Sequence, residues 1–241
     1  MSQPVERIAP VEHVHRDVRG GGLRASIFGV TDGLVSNVSL VLGTAAAHPG
    51  HGFVRLAGIA GLLGGAFSMA AGEYISMQAQ REAMQRELAV EAEEIRRRPA
   101  SEQRELERLY VRRGIPPDVA ARLARELMAD PEVALETHAR EELGIDPNAL
   151  GSPWVAAGSS FVTFALGALV PLAPFLTGSS GNAEVLAAVV LAAVAALVVG
   201  AILSRVTVRG WLFSALRSLG ICAAAGAVTY GVGSAIGVAV H

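Results

Sequence analysis

Five long apolar stretches dominate the chain, and charged residues are concentrated between the second and the third. The stretches cover residues 23–46, 54–80, 154–177, 184–203 and 211–240. Each supplies roughly the 20 residues that an α-helix needs to cross a hydrocarbon layer. The pattern therefore predicts an all-α membrane protein with five transmembrane helices, and it places residues 80–150 outside the membrane.

The second apolar stretch continues into the charged segment without a break. No turn signal follows Gln80, and the helical pattern runs on as far as the residue before Pro99. Proline lacks a backbone N–H and clashes with the preceding turn, so it ends such a pattern. We expect one long helix that leaves the membrane and continues into water.

Turn residues divide the rest of residues 80–150, which we call the insert, into three shorter helices. Prolines and glycines mark their ends: Pro99, Gly114, Pro117, Pro131 and Gly144. Ser101 and Asp130 can accept hydrogen bonds from first-turn N–H groups, so we expect them to cap the first and the third helix. In the second helix, Val119, Leu123 and Leu127 recur at the spacing of a buried stripe.

Composition supports this division of the chain. Hydrophobic residues make up 51% of the sequence and charged residues only 17%, yet the charged residues are bunched in the insert. Such a distribution argues against an ordinary soluble globule. The single cysteine, Cys222, excludes a disulfide framework and a cysteine metal cluster. The formal net charge of -2 gives no reason to expect nucleic acid as a partner.

The placement of arginine predicts the orientation. Arginines occur in the N-terminal tail (1–22), in the insert and in the turn at 205–209, whereas the opposite side offers only Arg55. By the positive-inside rule, the N-terminus and the insert lie in the cytoplasm, and after five spans the C-terminus lies outside. The tail has no apolar core, so we do not expect a cleavable signal peptide.

The short loop between the first two spans contains a histidine pair. His48 and His51 are three residues apart and could bind a metal together. No carboxylate or cysteine accompanies them in this loop, so we expect a solvated loop instead.

Two carboxylates lie within the first two spans. A charge at this depth is expensive and nearly always faces a partner helix or a water-filled path, so Asp32 and Glu73 predict a functional site. Met69, Glu73 and Met77 are spaced at i, i+4 and i+8 and share one helix face. If the two helices are antiparallel neighbours, Asp32 lies between Met69 and Glu73 in depth. The alternative is that Asp32 caps a broken helix at Gly33.

The insert carries rows of carboxylates at helical spacing. They are Glu87, Glu91 and Glu94 on the long helix, Glu102 and Glu105 on the next, and Glu142 four residues after His138. Either these rows are solvated faces that pair with arginine, or a cation relieves the repulsion between their like charges. Carboxylates alone suit Mg, Ca or Mn, whereas an added methionine or histidine favours softer metals such as Fe(II), Co or Zn.

Five short motifs in order resemble the vacuolar iron transporter family, from about Arg24 to the C-terminus. They are DGL (32–34), FSMAAGEYIS (67–76), EAEEI (91–95), EELG (141–144) and ALVPLAPF (168–175). The resemblance implies a homodimer of five-helix subunits that moves Fe(II) out of the cytosol in exchange for protons. It also implies four regions: a cytoplasmic tail (1–22), transmembrane helices 1 and 2 (23–79), a helical cytoplasmic metal-binding domain (80–150) and transmembrane helices 3 to 5 (151–241).

The resemblance also implies a set of metal ligands. Matched residue by residue, they are Asp32, Met69, Glu91, Glu94, Glu102, Glu105 and Glu142. The chain departs from plant-type members at two places. Gly61 stands where those members have a membrane glutamate, for which Glu73 can substitute one helical turn past Met69. His138 and Ala139 replace two adjacent methionines, so His138 would supply the softer ligand.

These observations predict a transporter that exports Fe(II) from the cytosol by proton antiport, with Mn(II) as a second candidate metal. The alternative is a metal-sensing or metal-storing membrane protein that does not transport. The sequence contains no GxxxxGK[ST] loop and no recognisable Ser-His-Asp or Cys-His arrangement, so we expect neither an enzyme nor a prosthetic group. The tail without a targeting signal and the all-arginine basic composition favour a bacterial inner membrane.

Overall fold

The computed structural model describes residues 21–47, 50–148, 150–177, 182–206 and 208–240. Within these residues the chain forms eight α-helices and no β-strand. The N-terminal tail, apart from its last two residues, lies outside the described part of the chain. His48 and His241 lie outside it as well.

Five of the described helices are long and apolar enough to cross a membrane. They are α1 (Gly21–Ala46), α2 (His51–Arg97), α6 (Pro153–Leu176), α7 (Asn182–Leu203) and α8 (Trp211–Val240). Three short helices fill the insert: α3 (Pro99–Arg112), α4 (Pro117–Leu127) and α5 (Pro131–Glu141). The predicted all-α class and five candidate spans are therefore confirmed, and α2 is continuous from the second apolar stretch into the charged segment.

Helix α1 contacts each of the other four apolar helices, and its most extensive contact is with α6. Glycine permits this contact, because a Cβ atom at Gly33 would overlap the carbonyl of Phe164. On the opposite side of the same contact, a Cβ at Gly167 would overlap the carbonyl of Val30. Small residues at such positions let helix backbones approach closely in a membrane. α1 is unbroken at Gly33, so the alternative in which Asp32 caps a broken helix is wrong.

Helix α6 continues through its two prolines. The sequence predicts a kink or a break at Pro171 and Pro174, and the helix is not broken there but ends at Leu176. The buried side chain of Asn37 on α1 donates a hydrogen bond from Nδ2 to the carbonyl of Ala168, at 2.6 Å. A proline disturbs helix hydrogen bonding in the turn before it, so Asn37 adds a donor where the α6 backbone is perturbed.

The insert has a small core of its own between α3 and α4. Two large side chains of α3 meet two alanines of α4: Leu106, Tyr110, Ala120 and Ala124. The predicted buried stripe of α4 is wrong for Val119 and Leu123, which are 40% and 36% exposed, whereas Leu127 packs partly against the core. The alanines face α3 because its large side chains already fill the space between the two helices.

The turn chemistry of the insert is mostly as the sequence predicts. Asp130 accepts hydrogen bonds from two first-turn N–H groups of α5, and Gly114 and Gly144 have φ of 91° and 66°. The expected cap at Ser101 is wrong, because α3 already begins at Pro99. The fixed φ of proline suits the first position of a helix, so Ser101 lies within the first turn.

Gly33→Ala should lower the thermal unfolding midpoint of the protein in detergent. The added methyl group meets the backbone of Phe164, which cannot move aside as a flexible side chain could. Overpacking of this kind costs about 1–3 kcal/mol. Gly64→Ala is the matched control, because a Cβ at Gly64 meets nothing within 4 Å. Equal midpoints for the two variants would contradict the assigned contact between α1 and α6.

Candidate metal sites

A cavity of about 400 Å³ lies between α1, α2 and α6, and we call it the membrane cavity. Asp32 and Ser36 of α1, Met69 and Glu73 of α2, and Phe164 of α6 contribute to its lining. The structure thus brings together the two carboxylates and the thioether that the sequence places on facing helices. Two hard oxygen ligands beside one soft sulfur ligand form a set that suits a transition metal better than Mg or Ca.

The two carboxylates of the membrane cavity have different partners. Asp32 Oδ1 accepts a hydrogen bond from Ser36 Oγ at 2.9 Å. Glu73 Oε2 accepts one from Arg24 Nη2 at 3.0 Å, and the two side chains form an ion pair. This pair is not predicted in the sequence analysis, because its partners are 49 residues apart. Only the arginine at the mouth of the first span hinted at it.

The membrane cavity is open on one side of the chain. Ser36 on α1 and Ser68 and Gly72 on α2 border it and are exposed. Lipid cannot satisfy hydroxyl groups or a carboxylate, so polar groups at this depth face protein or water. The described residues therefore cover only part of this site.

The insert holds a second cluster, which we call the three-ligand cluster. It consists of Glu91 on α2, His138 on α5 and Glu142 at the C-terminal end of α5, whose ligand atoms all lie within 4.8 Å of one another. His138 Nδ1 is 3.1 Å from Glu91 Oε1 and 3.5 Å from Glu142 Oε2. Glu91 and His138 are buried and Glu142 is exposed, so the cluster is open to solvent on one side.

Two buried atoms of the three-ligand cluster have no hydrogen-bond partner among the described residues. They are His138 Nε2 and Glu91 Oε1. Although Glu91 Oε1 lies 3.1 Å from His138 Nδ1, the two groups are not aligned for a hydrogen bond, and the contact is electrostatic. Buried polar atoms are normally satisfied, so these two atoms are available to bind an ion or water. Two carboxylates and an imidazole fit a divalent transition metal.

Burial raises the pKa of Glu91 to about 7. The nearby carboxylates, with Glu142 foremost, raise this pKa further, whereas the positive charge of a protonated His138 lowers it. Burial also raises the pKa of Glu102, and the neighbouring charge of Glu105 adds to the effect. Both shifts are due mainly to burial, and the neighbouring carboxylates add to them.

The other carboxylates that were expected to bind metal surround the three-ligand cluster without joining it. Glu102 at the start of α3 is buried and close enough to affect Glu91 electrostatically. Glu94 and Glu105 are exposed. For these three residues, metal ligation stays a prediction.

Another polar pair, between His51 and Glu184, lies at the N-terminal end of α2. His51 is in the first turn of α2 and not in a loop, and its Nδ1 is 3.0 Å from Glu184 Oε2 on α7. The side chain of Glu184 is only 1% exposed. Sequence reasoning missed this pair, although a single carboxylate at the start of an Ala, Val and Leu helix was the available signal. His48 lies outside the described residues, so the alternative in which His48 and His51 bind a metal together is not tested.

Comparison with known proteins finds similar chains over most of this sequence. Residues 23–234 match the VIT family. The chain is 33% identical to Vacuolar iron transporter 1 of Eucalyptus grandis over 218 residues, which cover 89% of this chain and 86% of that protein. It is 28% identical to Vacuolar iron transporter 2 of Oryza sativa subsp. japonica, covering 96% of this chain and 94% of that protein.

A Vacuolar iron transporter of Acanthamoeba castellanii is 38% identical over 160 residues, which cover 66% of this chain and 58% of that protein. The names of all three relatives refer to the vacuole. The expectation of a bacterial member in a bacterial inner membrane therefore gains no support from them.

Binding of Fe(II) to the three-ligand cluster should strengthen as the pH rises through about 7. Because the pKa of Glu91 is raised to about 7, metal must displace a proton below this pH but not above it. We expect affinity to fall by up to about tenfold for each pH unit below that pKa. Anaerobic isothermal titration calorimetry of Asp32→Asn protein, in which the membrane cavity is disabled, measures this dependence.

Glu87→Gln is the matched control for that titration, because Glu87 is exposed on the same helix. Its pH dependence should equal that of the parent protein, whereas Glu91→Gln should bind Fe(II) more weakly and with a smaller pH dependence, because one of the groups that must lose a proton is gone. A pH dependence in Glu91→Gln as steep as that of the parent protein would contradict the role of this carboxyl.

Proposed function

This chain belongs to the VIT family, and on that premise we propose that it transports Fe(II) across a membrane. It is an integral membrane protein with five candidate spanning helices. Relatives that bear the name vacuolar iron transporter support iron as the substrate. The observation that carries the proposal is the arrangement of ligands along α2, where one continuous helix joins the three-ligand cluster to the membrane cavity.

The proposed route follows α2. Glu91 and Glu73 are 18 residues apart on this helix, which corresponds to roughly 27 Å along its axis. The three-ligand cluster collects the metal, Glu73 and Met77 pass it on, and Asp32 and Met69 bind it within the membrane cavity. Met77 supports this order because it follows Glu73 by one turn and is buried against α1 and α6.

The direction of transport that we propose is out of the cytosol. Arginine placement puts the N-terminal tail and the insert (80–150) in the cytoplasm and the C-terminus on the other side. The insert is then a cytoplasmic metal-binding domain between the second and third spans. Which membrane the protein occupies stays a prediction.

Proton antiport would supply the driving force. Asp32 and Glu73 bind either a metal ion or protons, because a desolvated carboxylate needs a positive partner. Protons that enter from the far side would discharge the metal there. On the cytosolic side, the three-ligand cluster would release protons and bind metal again.

A homodimer would complete the membrane cavity. The exposed Ser36, Ser68 and Gly72 leave the cavity open on the side of this chain that lipid would otherwise contact. A second copy placed against this face would shield Asp32 from lipid and add a second set of the same ligands. The metal path would then run between the two subunits.

Mn(II) is a second candidate substrate. The three-ligand cluster contains two carboxylates and only one imidazole. Oxygen-rich ligand sets suit Mn(II), and the single nitrogen does not exclude it. Competition between the two metals in uptake experiments would rank them.

The rival function is metal sensing or storage without transport. The three-ligand cluster is formed by α2, α5 and Glu142, the residue that follows α5, and needs no path through the membrane. Uptake of Fe(II), Mn(II) and Zn(II) into proteoliposomes, with and without a pH gradient, separates these functions. Binding without uptake would support storage, and uptake that ignores the pH gradient would contradict antiport.

Asp32→Asn should abolish Fe(II) uptake into proteoliposomes. The amide keeps the size of the side chain but loses the negative charge that the metal requires. Asp118→Asn makes the same change on the exposed side of α4 and should transport normally. Size-exclusion chromatography checks that both variants remain folded. Normal uptake by Asp32→Asn would show that the metal takes another route.

His138→Ala should raise the Fe(II) concentration needed for half-maximal uptake while leaving the maximal rate largely unchanged. It removes one ligand of the three-ligand cluster but leaves the membrane cavity intact. We expect this concentration to rise by roughly tenfold or more, because removing even an outer-shell partner of a metal ligand typically weakens metal binding by that factor. Thr137→Ala, at the neighbouring residue, is the control. An unchanged half-maximal concentration would mean that the cluster does not feed transport.

A further inference from the structure

The ion pair between Arg24 and Glu73 connects two cavities. Glu73 lines the membrane cavity, and Arg24 lines a second cavity of about 460 Å³ between α1, α2 and the loop at 144–151. We call this second space the junction cavity. Because Arg24 Nη2 is 3.0 Å from Glu73 Oε2, the guanidinium lies where the two cavities adjoin.

The charge of Arg24 changes what the membrane cavity can bind. Asp32 and Glu73 together offer two negative charges, which match a divalent cation. While the guanidinium holds Glu73, only the charge of Asp32 is uncompensated. Arginine stays protonated at any physiological pH, so its charge cannot be removed and the side chain has to move away.

Burial indicates which partner of the pair can move. The side chain of Arg24 is 67% exposed, whereas that of Glu73 is only 10% exposed. A mostly exposed arginine regains full hydration when it leaves its partner, so Arg24 is the side chain that can move. A nearly buried carboxylate that loses its partner needs another cation at once.

We propose that Arg24 takes the place of the transported cation at Glu73 when the membrane cavity holds no metal. The guanidinium neutralises Glu73 and closes the boundary between the junction cavity and the membrane cavity. An arriving divalent ion displaces it, and Arg24 competes for Glu73 again when the metal leaves. Arg24 is thus a positioning residue of the transport site, and this role rests on the proposed transport function.

Competition of this kind predicts an unusual change in the transport kinetics. Arg24→Gln should bind Fe(II) in the membrane cavity more tightly, by roughly tenfold, since a hydrogen bond between charged groups no longer has to be displaced. The half-maximal concentration for uptake and the maximal rate should both fall, because metal that binds more tightly leaves more slowly. A purely structural ion pair would instead weaken binding and lower thermal stability.

The experiment measures anaerobic Fe(II) binding by calorimetry and uptake into proteoliposomes, with the full chain. Binding is measured in a background that carries both Glu91→Gln and His138→Ala, in which the three-ligand cluster keeps only Glu142 and the membrane cavity dominates the signal. Arg86→Gln, which removes an exposed arginine from α2, should leave the affinity unchanged. In Glu73→Gln protein, the further change Arg24→Gln should have no effect on affinity, because the group for which Arg24 competes is gone.

The outcomes separate this proposal from the proposed function. If the parent protein takes up Fe(II) but Arg24→Gln binds it no more tightly, competition by Arg24 is overturned and transport stands. If the parent protein takes up no Fe(II), both fail. Should Arg24→Gln not fold, Arg24→Lys keeps the charge as a single compact donor that competes less well. It should show intermediate affinity, and an affinity equal to that of the parent protein overturns the proposal.

Discussion

A carboxylate removed from water must be neutralised, and this constraint governs the membrane half of the molecule. Its described carboxylates each have a polar partner: Asp32 has the hydroxyl of Ser36, Glu73 has Arg24 and Glu184 has His51. Isolated ionised groups in a low-dielectric region are too costly to persist. A site that is to release a metal therefore needs another positive partner in the metal-free state, either a proton or a tethered side chain.

Helix α2 contributes carboxylates both to the membrane cavity and to the three-ligand cluster. The same 47-residue helix presents Glu73 to the membrane cavity and Glu91 to the three-ligand cluster. A continuous helix fixes the distance and the relative rotation of the two groups, because each residue adds a constant rise and turn. The insert packs on the far part of α2 through α3 and α5, so it contacts the same helix that lines the membrane cavity.

Close packing around α1 holds the membrane cavity in place. Contacts at Gly33 and Gly167 bring α1 and α6 close enough that no larger residue fits. The hydrogen bond from Asn37 to the carbonyl of Ala168 adds a directional contact in the same interface. Asp32 lies on α1 next to this interface. Its position relative to Met69 therefore depends on contacts between residues that are not themselves candidate metal ligands.

The sequence by itself determined the features that depend on neighbours along the chain. Hydrophobic length predicted the five candidate spans, Asp130, Gly114 and Gly144 predicted the limits of short helices, and helical spacing placed Met69 and Glu73 on one face. Only the tertiary structure decided which faces meet. It placed Glu91 beside His138, turned the alanines of α4 inward in place of Val119 and Leu123, and paired Arg24 with Glu73 and His51 with Glu184. Periodicity fixes the direction of a side chain on its own helix. Its partner on another helix depends on the crossing angle and the distance between the two helices, and these arise from packing between residues that are distant in sequence.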